Sequence, residues 1–419
     1  MTKPEDDYLL HVVMNGRVIG DVQRTGKKAV RLLYSTTVPT PLSVSMADRR
    51  KRYRSNALEP WLDGLLPDRP ETLRQWRRRF KIADDNSAFA LLRHVGEDVA
   101  GAAQFVRPDR LDNVLTGHGV LAPLAASDVA EMLRRAKADL PVNLDDSTIG
   151  KFSLAGAQAK IALHRADDCW SDPSGAVPST HIIKPAIPGR DDQDLVEAVT
   201  MRTATALGLP TARVAVEEFA DERAVVVTRY DRVRRNERYL RVHQEDMCQA
   251  LAEWPGRRYE TQGGPNAARV ADLIRRVSSD PDVDNQRFAQ ALVFNWLTCG
   301  TDAHARNYSL LLSGDTARLA PLYDLNSHLA YADGTGTELS MSVEGAFRAT
   351  AINLRTWARA GSALHVDADW LRAEIERQAA GLPAAIAEAA ASGDVARYDS
   401  PTVARLVDTT AQWVKKRTG

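Results

Sequence analysis

The strongest structural signal in the chain is the segment NWLTCGTDAHARNYSLLL, residues 295–312. An apolar helical pattern ends at Gly300, a polar loop follows, and an apolar strand-like run begins after Asn307. Within this loop, Asp302 and Asn307 have the separation of the Asp and Asn in the phosphotransferase pattern H-R-D-x-x-x-x-N. In that pattern the Asp accepts the proton of the attacking hydroxyl, and the Asn holds a magnesium ion. An Asx turn that joins a helix to a strand is the alternative for both residues.

A second acidic position follows in the segment APLYDL, residues 320–325. Asp324 stands between apolar neighbours, as does the metal-binding Asp of a D-F-G motif. We therefore predict that Asn307 and Asp324 bind Mg2+. A helix N-cap ahead of Leu325 is the alternative for Asp324.

Upstream, an apolar strand is predicted over Thr180–Ile183, and it ends at Lys184 before Pro185. Phosphoryl transfer needs a cation on the phosphate oxygens, and a strand lysine held by a helix carboxylate meets this need. Glu197, near the start of the helical pattern Leu195–Leu207, is the predicted carboxylate. The alternative for Lys184 is an exposed lysine at a strand end.

Small residues dominate the segment SLAGAQAK, residues 153–160, between two predicted strands. Backbone N–H groups in such a segment could approach phosphate oxygens closely. A tight hairpin is the alternative, since a single Gly usually marks only a turn. His304 has no second His or Cys at metal-ligand spacing, so we predict a structural or nucleotide-contacting role for it. Asp302 remains the predicted catalytic base.

The order of elements predicts an α+β, two-lobed, protein-kinase-like fold. Residues 1–110 are predicted to form an extra N-terminal α+β subdomain. It begins with a hairpin over Leu9–Val22 around Asn15-Gly16. Residues 111–245 are predicted to form the N-lobe, and residues 246–419 are predicted to form an all-α C-terminal lobe. Helical periodicity is predicted over Leu58–Phe80, Ala88–Val95, Ala126–Leu140, Leu195–Leu207, Asp246–Ala252, Val270–Val277, Asn285–Cys299, Leu354–Ala360, Asp367–Glu388 and Pro401–Lys416. Further strands are predicted over Ile161–Leu163, His181–Lys184, Ala212–Phe219 and Ala224–Tyr230.

Composition excludes several classes of protein. Lys plus Arg equals Asp plus Glu at 55 each, so no net charge attracts nucleic acid or an anionic membrane. The most basic run is RQWRRRFK at Arg74–Lys81. We interpret it as a solvated helix face in preference to a binding site for a polyanion. Three cysteines without ligand spacing indicate a reducing compartment. The polar start, Met1–Asp7, and the lack of a long apolar run predict a cytoplasmic protein without a membrane span.

At these motifs the chain resembles the HipA family of serine/threonine kinase toxins. SLAGAQAK resembles the phosphate loop S-[IL]-x-G-[AV]-Q-x-K of that family, THIIKP (180–185) its lysine strand, and TDAHARN (301–307) its T-D-x-H-x-K-N loop. RVHQEDMCQAL (241–251) is similar to the signature H/P-Q-E-D-[MF]-x-Q, and MNG (14–16) with PLSVS (41–45) matches the extra subdomain. Three positions depart from the family pattern: Ala159, Thr228 at the hinge, and Arg306 in place of Lys.

The resemblance implies ATP and Mg2+ as cofactors, with Asp302 as the base and Asn307 and Asp324 as metal ligands. It implies a nucleotide site formed by Ala155, Gly156, Ala157, Gln158, Ala159, Lys160, Lys184, Glu197, Thr228, Arg229, Tyr230, His304 and Asn307. It also implies autophosphorylation of Ser153, which displaces the phosphate loop and inactivates the enzyme. The implied partners are a helix-turn-helix (Xre-like) antitoxin, operator DNA through that antitoxin, and a translation substrate such as an aminoacyl-tRNA synthetase.

Two other functions stay open at this point. One is a small-molecule kinase on the same scaffold, because Asp-x4-Asn and a metal-binding Asp also occur in phosphotransferases that do not act on proteins. Ser153 and the N-terminal subdomain argue against it. The other is a non-catalytic, DNA-bound corepressor, against which the complete set of catalytic residues argues.

Overall fold

The computed structural model describes residues 8–25, 29–35, 38–82, 86–140, 142, 153–236 and 238–418. The acidic start and residues 143–152, before the phosphate loop, lie outside the described residues. The predicted combination of helices and sheets is confirmed. No described helix is both long enough and apolar enough to cross a lipid bilayer.

The N-terminal part is one antiparallel sheet covered by helices. Its elements are β1 (Leu9–Met14), β2 (Arg17–Thr25), β3 (Ala29–Tyr34), β4 (Arg52–Arg54), α1 (Ser55–Asp63), α2 (Pro70–Arg79), α3 (Ala88–Val95) and β5 (Ala103–Val106). The strands take the order β4-β3-β2-β1-β5. The predicted hairpin is confirmed, with Asn15 and Gly16 at φ 45° and 76°, because a two-residue turn of this hand requires positive φ at both positions. The basic run lies on α2, none of whose residues is fully buried.

The second sheet carries the lysine strand. Its elements are α4 (Leu111–Leu115), β6 (Gly119–Pro123), α5 (Ala126–Lys137), β7 (Ile161–Ala166), β8 (Cys169–Gly175), β9 (His181–Pro185), α6 (Gln193–Ala206), β10 (Val214–Phe219) and β11 (Glu222–Thr228). The order is β10-β11-β9-β7-β8-β6, so β9 is an interior strand. Pro185 is tolerated because it is the last residue of β9.

The remaining elements carry the largest core and the predicted catalytic loop, residues 301–307. They are β12 (Arg232–Arg235), β13 (Arg238–Arg241), β14 (His243–Asp246), α7 (Met247–Ala250), α8 (Ala267–Val277), α9 (Pro281–Leu297), β15 (Ser309–Ser313), β16 (Thr316–Leu319), β17 (Glu338–Val343), β18 (Ala346–Arg348), α10 (Leu354–Ala363), α11 (Ala368–Ala390), α12 (Gly393–Ala396) and α13 (Pro401–Thr418). Helix α9 is buried on most of its surface, and Phe288, Phe294 and Trp296 are fully buried. This burial fixes the point at which the catalytic loop leaves the helix.

The expected all-α C-terminal lobe is wrong in one detail. The lobe contains the sheet β14-β15-β16 and the hairpin β17-β18. Strand β15 is the strand-like run predicted after Asn307, whereas β14, β16, β17 and β18 have three to six residues and carry little period-2 signal, so their sequences did not reveal them. Strand β14 pairs with β15 across the predicted boundary at residues 245 and 246. The boundaries at residues 110 and 245 stay predictions.

Glu245, in the segment Gln244-Glu245-Asp246, joins the N-terminal part to the rest of the chain. Glu245 accepts hydrogen bonds from Trp61 Nε1 at 2.9 Å and from the Val44 amide at 2.8 Å. Burial raises the pKa of Glu245 to about 7. Asp246 caps α7 by accepting a hydrogen bond from the Gln249 amide at 2.9 Å.

Candidate active site

A cavity of about 690 Å³ lies between the second sheet and the helical part of the chain. This volume falls within the roughly 300–1,000 Å³ of small-molecule and cofactor sites. The cavity is lined by every predicted site residue except Ser153 and Glu197: Ala155, Gly156, Ala157, Gln158, Ala159, Lys160, Lys184, Thr228, Arg229, Tyr230, Asp302, His304, Asn307 and Asp324. Residues separated by up to 169 positions in the sequence (155 and 324) therefore face one space.

Lys184 and Glu197 form the predicted ion pair. Lys184 Nζ lies 2.8 Å from Glu197 Oε1, and their side chains are 5% and 1% exposed. Lys184 also pairs with the carboxylate of Asp324. The alternative of an exposed strand-end lysine is therefore wrong, because β9 is interior and α6 packs its carboxylate against the end of the strand.

The phosphate loop is an irregular segment and not a tight hairpin. Gly156 takes φ +111°, and a Cβ at this position would collide with Lys160 Nζ. Lys160 folds back under the loop and donates to the Ala155 carbonyl at 2.6 Å. Gln158 Nε2 donates to the Pro185 carbonyl at 3.1 Å and to Gln193 at 2.9 Å, which holds the loop against the end of β9. Burial, assisted by Lys184, lowers the pKa of Lys160 to about 7.

Ser153 begins the described part of this loop and is fully buried. Its hydroxyl donates to the Leu65 carbonyl at 2.8 Å, and its amide donates to the Asp98 carbonyl at 2.9 Å. Both acceptors belong to the N-terminal part of the chain. The serine is thus inaccessible to an incoming phosphoryl group while the loop holds this position.

The catalytic loop presents an exposed carboxylate. The Asp302 side chain is 62% exposed and accepts a hydrogen bond from the Tyr259 hydroxyl at 2.9 Å. The Asn307 side chain donates to the Asp302 carbonyl at 2.6 Å and so closes the loop. The loop is therefore stabilised by an Asn side chain in the manner of the Asx alternative, yet it also directs Asp302 and Asn307 into the cavity.

His304 stands beside the proposed base. Its Nε2 lies 3.7 Å from Asp302 Oδ1, and its ring meets that of Tyr259 edge to face at 4.9 Å. Burial lowers the pKa of His304 to about 4, so the imidazole is neutral at neutral pH. Its Nδ1 is buried without a hydrogen-bond partner among the described residues. This environment suits a packing or ligand-contacting side chain.

Asp324 takes the left-handed conformation, φ 54°, which is uncommon for a residue other than glycine. The N-cap alternative is wrong, because the next helical turn is a short 3-10 segment capped by Ser327. With the Asn307 amide nitrogen engaged, its oxygen and the Asp324 carboxylate provide the oxygen donors that Mg2+ prefers. The residues present therefore fit a magnesium ion.

The predicted hinge, residues 228–230, reaches the cavity, but the Arg229 side chain points elsewhere. Thr228 and Tyr230 line the cavity, and the Arg229 amide donates to the Thr180 carbonyl at 2.9 Å. The buried Arg229 guanidinium pairs with Asp231 at 2.8 Å and donates to the Val99 carbonyl at 2.9 Å. The Arg229 guanidinium is therefore not free to contact a nucleotide.

Behind the hinge, a buried cluster of charges attaches the N-terminal part. Asp98 accepts from Arg232 at 2.9 Å, from Arg241 at 3.4 Å and from the Ser179 hydroxyl at 2.6 Å. Burial alone would raise the pKa of Asp98, but Arg232, Arg229 and Arg241 lower it to about 2. The carboxylate is therefore ionised at neutral pH.

Several residues of the site were missed by sequence reasoning. Arg306 is 3% exposed and pairs with Asp68 and, at 3.2 Å, with Asp246. Tyr259 contacts Asp302, and Asn326 accepts from Gln193 at 3.3 Å. These contacts connect distant segments, and the only signal in the sequence was the Arg at position 306 where the family pattern has Lys.

Comparison with known proteins agrees with this geometry. Residues 152–389, more than half of the chain, match the model of the HipA-like C-terminal domain, and residues 10–106 match that of the HipA N-terminal domain. Y4mE of Sinorhizobium fredii is 34% identical over 336 residues, 78% of each chain. The serine/threonine-protein kinase toxin HipA of Shewanella oneidensis is 30% identical over 347 residues, 80% of this chain and 77% of the relative.

A solved structure extends the match to nearly the whole chain. The complex of Shewanella oneidensis HipA, HipB and operator DNA contains a chain that superposes with a TM-score of 0.83 at 26% identity, over 97% of both chains. The two family models together, and this superposition, cover both the N-terminal sheet and the cavity. The chain therefore belongs to the HipA family of serine/threonine-protein kinases.

Proposed function

We propose that this chain is an ATP- and Mg2+-dependent kinase that phosphorylates serine or threonine hydroxyls of a protein and acts as the toxin of a type II toxin-antitoxin module. The observation that carries the proposal is the convergence on one cavity of the Lys184–Glu197 pair, the exposed carboxylate of Asp302, and the oxygen donors Asn307 and Asp324. These are the parts that phosphoryl transfer requires.

In the proposed reaction, the acceptor oxygen forms a bond to the γ-phosphorus as the bond from that phosphorus to the β,γ-bridging oxygen breaks, and ADP leaves. Asp302 takes the hydroxyl proton. Lys184, held by Glu197, binds phosphate oxygens, and the loop 155–159, which lines the cavity, offers backbone amides to the same oxygens. When bound at Asn307 and Asp324, Mg2+ would neutralise negative charge on the phosphates.

The proposal extends to partners and regulation. The related HipA of Shewanella oneidensis forms a complex with HipB and operator DNA, which supports a helix-turn-helix antitoxin and operator DNA as partners here. Resemblance to the family supports an aminoacyl-tRNA synthetase as substrate and Ser153 as the site of autophosphorylation. Three free cysteines, two of them buried, support a reducing, cytoplasmic setting.

The test is intact-mass analysis after incubation with ATP and Mg2+, with the modified peptide mapped. Wild type is compared with Asp302→Asn, which keeps an acceptor for the Tyr259 hydroxyl and replaces a side chain that is 62% exposed. We expect added phosphate on Ser153 in wild type only, with equal thermal stability of the two proteins. Equal phosphorylation in Asp302→Asn would contradict the assignment of the base. No phosphate in either protein, when the starting mass shows an unmodified Ser153, would contradict a self-phosphorylating kinase.

A further inference from the structure

The turn between α1 and α2, residues 64–68, contacts the catalytic loop. The Asp68 carboxylate, 13% exposed, pairs with Arg306 and lies 3.1 Å from Arg258 Nη1. The Gly64 carbonyl accepts a further hydrogen bond from Arg306 at 2.9 Å. The N-terminal part of the chain thus supplies two of the groups that hold one buried guanidinium.

Both arginines lead to residues of the proposed chemistry. Arg306 directly precedes the proposed metal ligand Asn307. Arg258 lies over the ring of Tyr259 at 5.2 Å, and the Tyr259 hydroxyl donates to Asp302 at 2.9 Å. Asp68 is therefore linked to the base through Arg258 and to the metal ligand through Arg306.

The same residue also contacts the phosphate loop. The Asp68 amide donates to the Gly156 carbonyl at 3.3 Å, and Pro67 forms a parallel β-bridge with Gly156. Gly156 is the residue with φ +111° at which the loop changes direction. One residue outside both loops thus joins the phosphate loop by its main chain and the catalytic loop by its side chain.

We propose that Asp68 is a positioning residue that holds the catalytic loop in register with the phosphate loop. The inference rests on the proposed kinase function and adds a role for the N-terminal part in transfer. Two guanidinium groups converge on this carboxylate, and Arg306 keeps Asp246 as a second partner. Loss of the charge therefore loosens the catalytic loop and leaves the main-chain contact to the phosphate loop in place.

The test compares Asp68→Asn with wild type in the full-length chain. The amide keeps the size and the backbone contact but removes the charge. We expect turnover, meaning the rate of phosphate transfer from saturating ATP, to fall roughly 10- to 100-fold. Displacement of catalytic groups by about 1 Å has effects of this size. The dissociation constant of ATP, measured by equilibrium titration, should change by less than about twofold. Hydrogen–deuterium exchange should accelerate in the peptide 301–308 and not in 338–343.

Two further variants serve as controls. Glu71→Gln removes a carboxylate at the start of α2 that is 53% exposed and pairs with Arg74 on the surface, so turnover should stay at the wild-type value. Asp68→Glu keeps the charge, and it should recover a large part of the turnover. If Asp68→Asn does not fold, Asp68→Glu alone decides: a partial loss of turnover together with faster exchange at 301–308 supports the proposal, and unchanged exchange at 301–308 overturns it.

The outcomes separate the two proposals. Wild type without kinase activity refutes the proposed function, whereas the exchange measurement needs no activity. Unchanged exchange at 301–308 in Asp68→Asn, or unchanged turnover, overturns the positioning role. A loss of turnover that Glu71→Gln reproduces overturns it as well, because the effect would then follow from any acidic residue of this region.

Discussion

Replacement of Arg306 by Met should cost the protein a large share of its stability. The guanidinium is 3% exposed, forms ion pairs with Asp68 and Asp246, and donates a hydrogen bond to the Gly64 carbonyl. Methionine fills much of the volume but cannot donate a hydrogen bond to any of these three groups. Breaking a buried ion pair from one side typically costs about 3–5 kcal/mol. Asp68 keeps Arg258 and Asp246 keeps the Gln249 amide, so we expect a loss within that range and not above it.

The assay is urea unfolding followed by tryptophan fluorescence at pH 7.5 and pH 5.5. Arg275→Met is the matched control, because Arg275 and Asp282 form a surface pair that is 51% and 79% exposed. Such pairs contribute about 0–1 kcal/mol. A difference below about 1 kcal/mol between the two variants would refute the view that Arg306 holds a desolvated network.

The pH dependence provides an independent check with a definite sign. Burial raises the pKa of Asp246 in the wild type, and Arg306 opposes this rise. Without Arg306 the pKa of Asp246 rises further, and the folded state then binds a proton that the unfolded state releases. Stability lost at pH 7.5 should therefore be partly regained as the pH falls through the folded-state pKa. A loss that grows toward pH 5.5, relative to wild type, would contradict this assignment.

Three further predictions concern the cavity. Glu197→Gln leaves Lys184 with Asp324 as its charged partner, so turnover should fall roughly 10²-fold, and steady-state assays check this. Because the pKa of Lys160 is lowered to about 7, ATP binding at pH 8 should take up roughly half a proton or more, and calorimetry in two buffers should lose this uptake in Lys160→Arg. Ser153→Ala leaves the Leu65 carbonyl unpaired, so it should cost about 1–3 kcal/mol yet retain transfer to other acceptors, as measured by unfolding and radiolabel assays.

The sequence was most informative where the chemistry depends on neighbouring residues. Asp302 and Asn307 were found because both lie on one loop, and their separation is a property of that loop. The Lys184–Glu197 pair was also predicted, since a strand followed directly by a helix brings such residues together, and the structure confirms it at 2.8 Å. The roles of these residues in catalysis stay predictions until the variants are measured.

Other features carried no readable pattern. Strand β8 was missed because its buried positions are Ser171, Pro173 and Gly175, which lack the apolar alternation of a strand. The predicted helix over Ala126–Leu140 ends earlier, at Lys137, and Asp139 takes φ 56°. Local sequence indicates that an element exists more reliably than where it ends.

By itself the sequence determined the family resemblance, the hairpin at Asn15-Gly16 and the order of the proposed catalytic residues, because each is encoded in neighbouring residues. Tertiary structure decided that Ser153 is buried against Leu65, that the Arg229 side chain faces away from the cavity, and that Arg306 pairs with Asp68 across 238 positions of the chain. The physical reason is that backbone propensity and side-chain periodicity act over a few residues. A buried charge must instead find its partner wherever the fold places one, and no spacing along the chain records that choice.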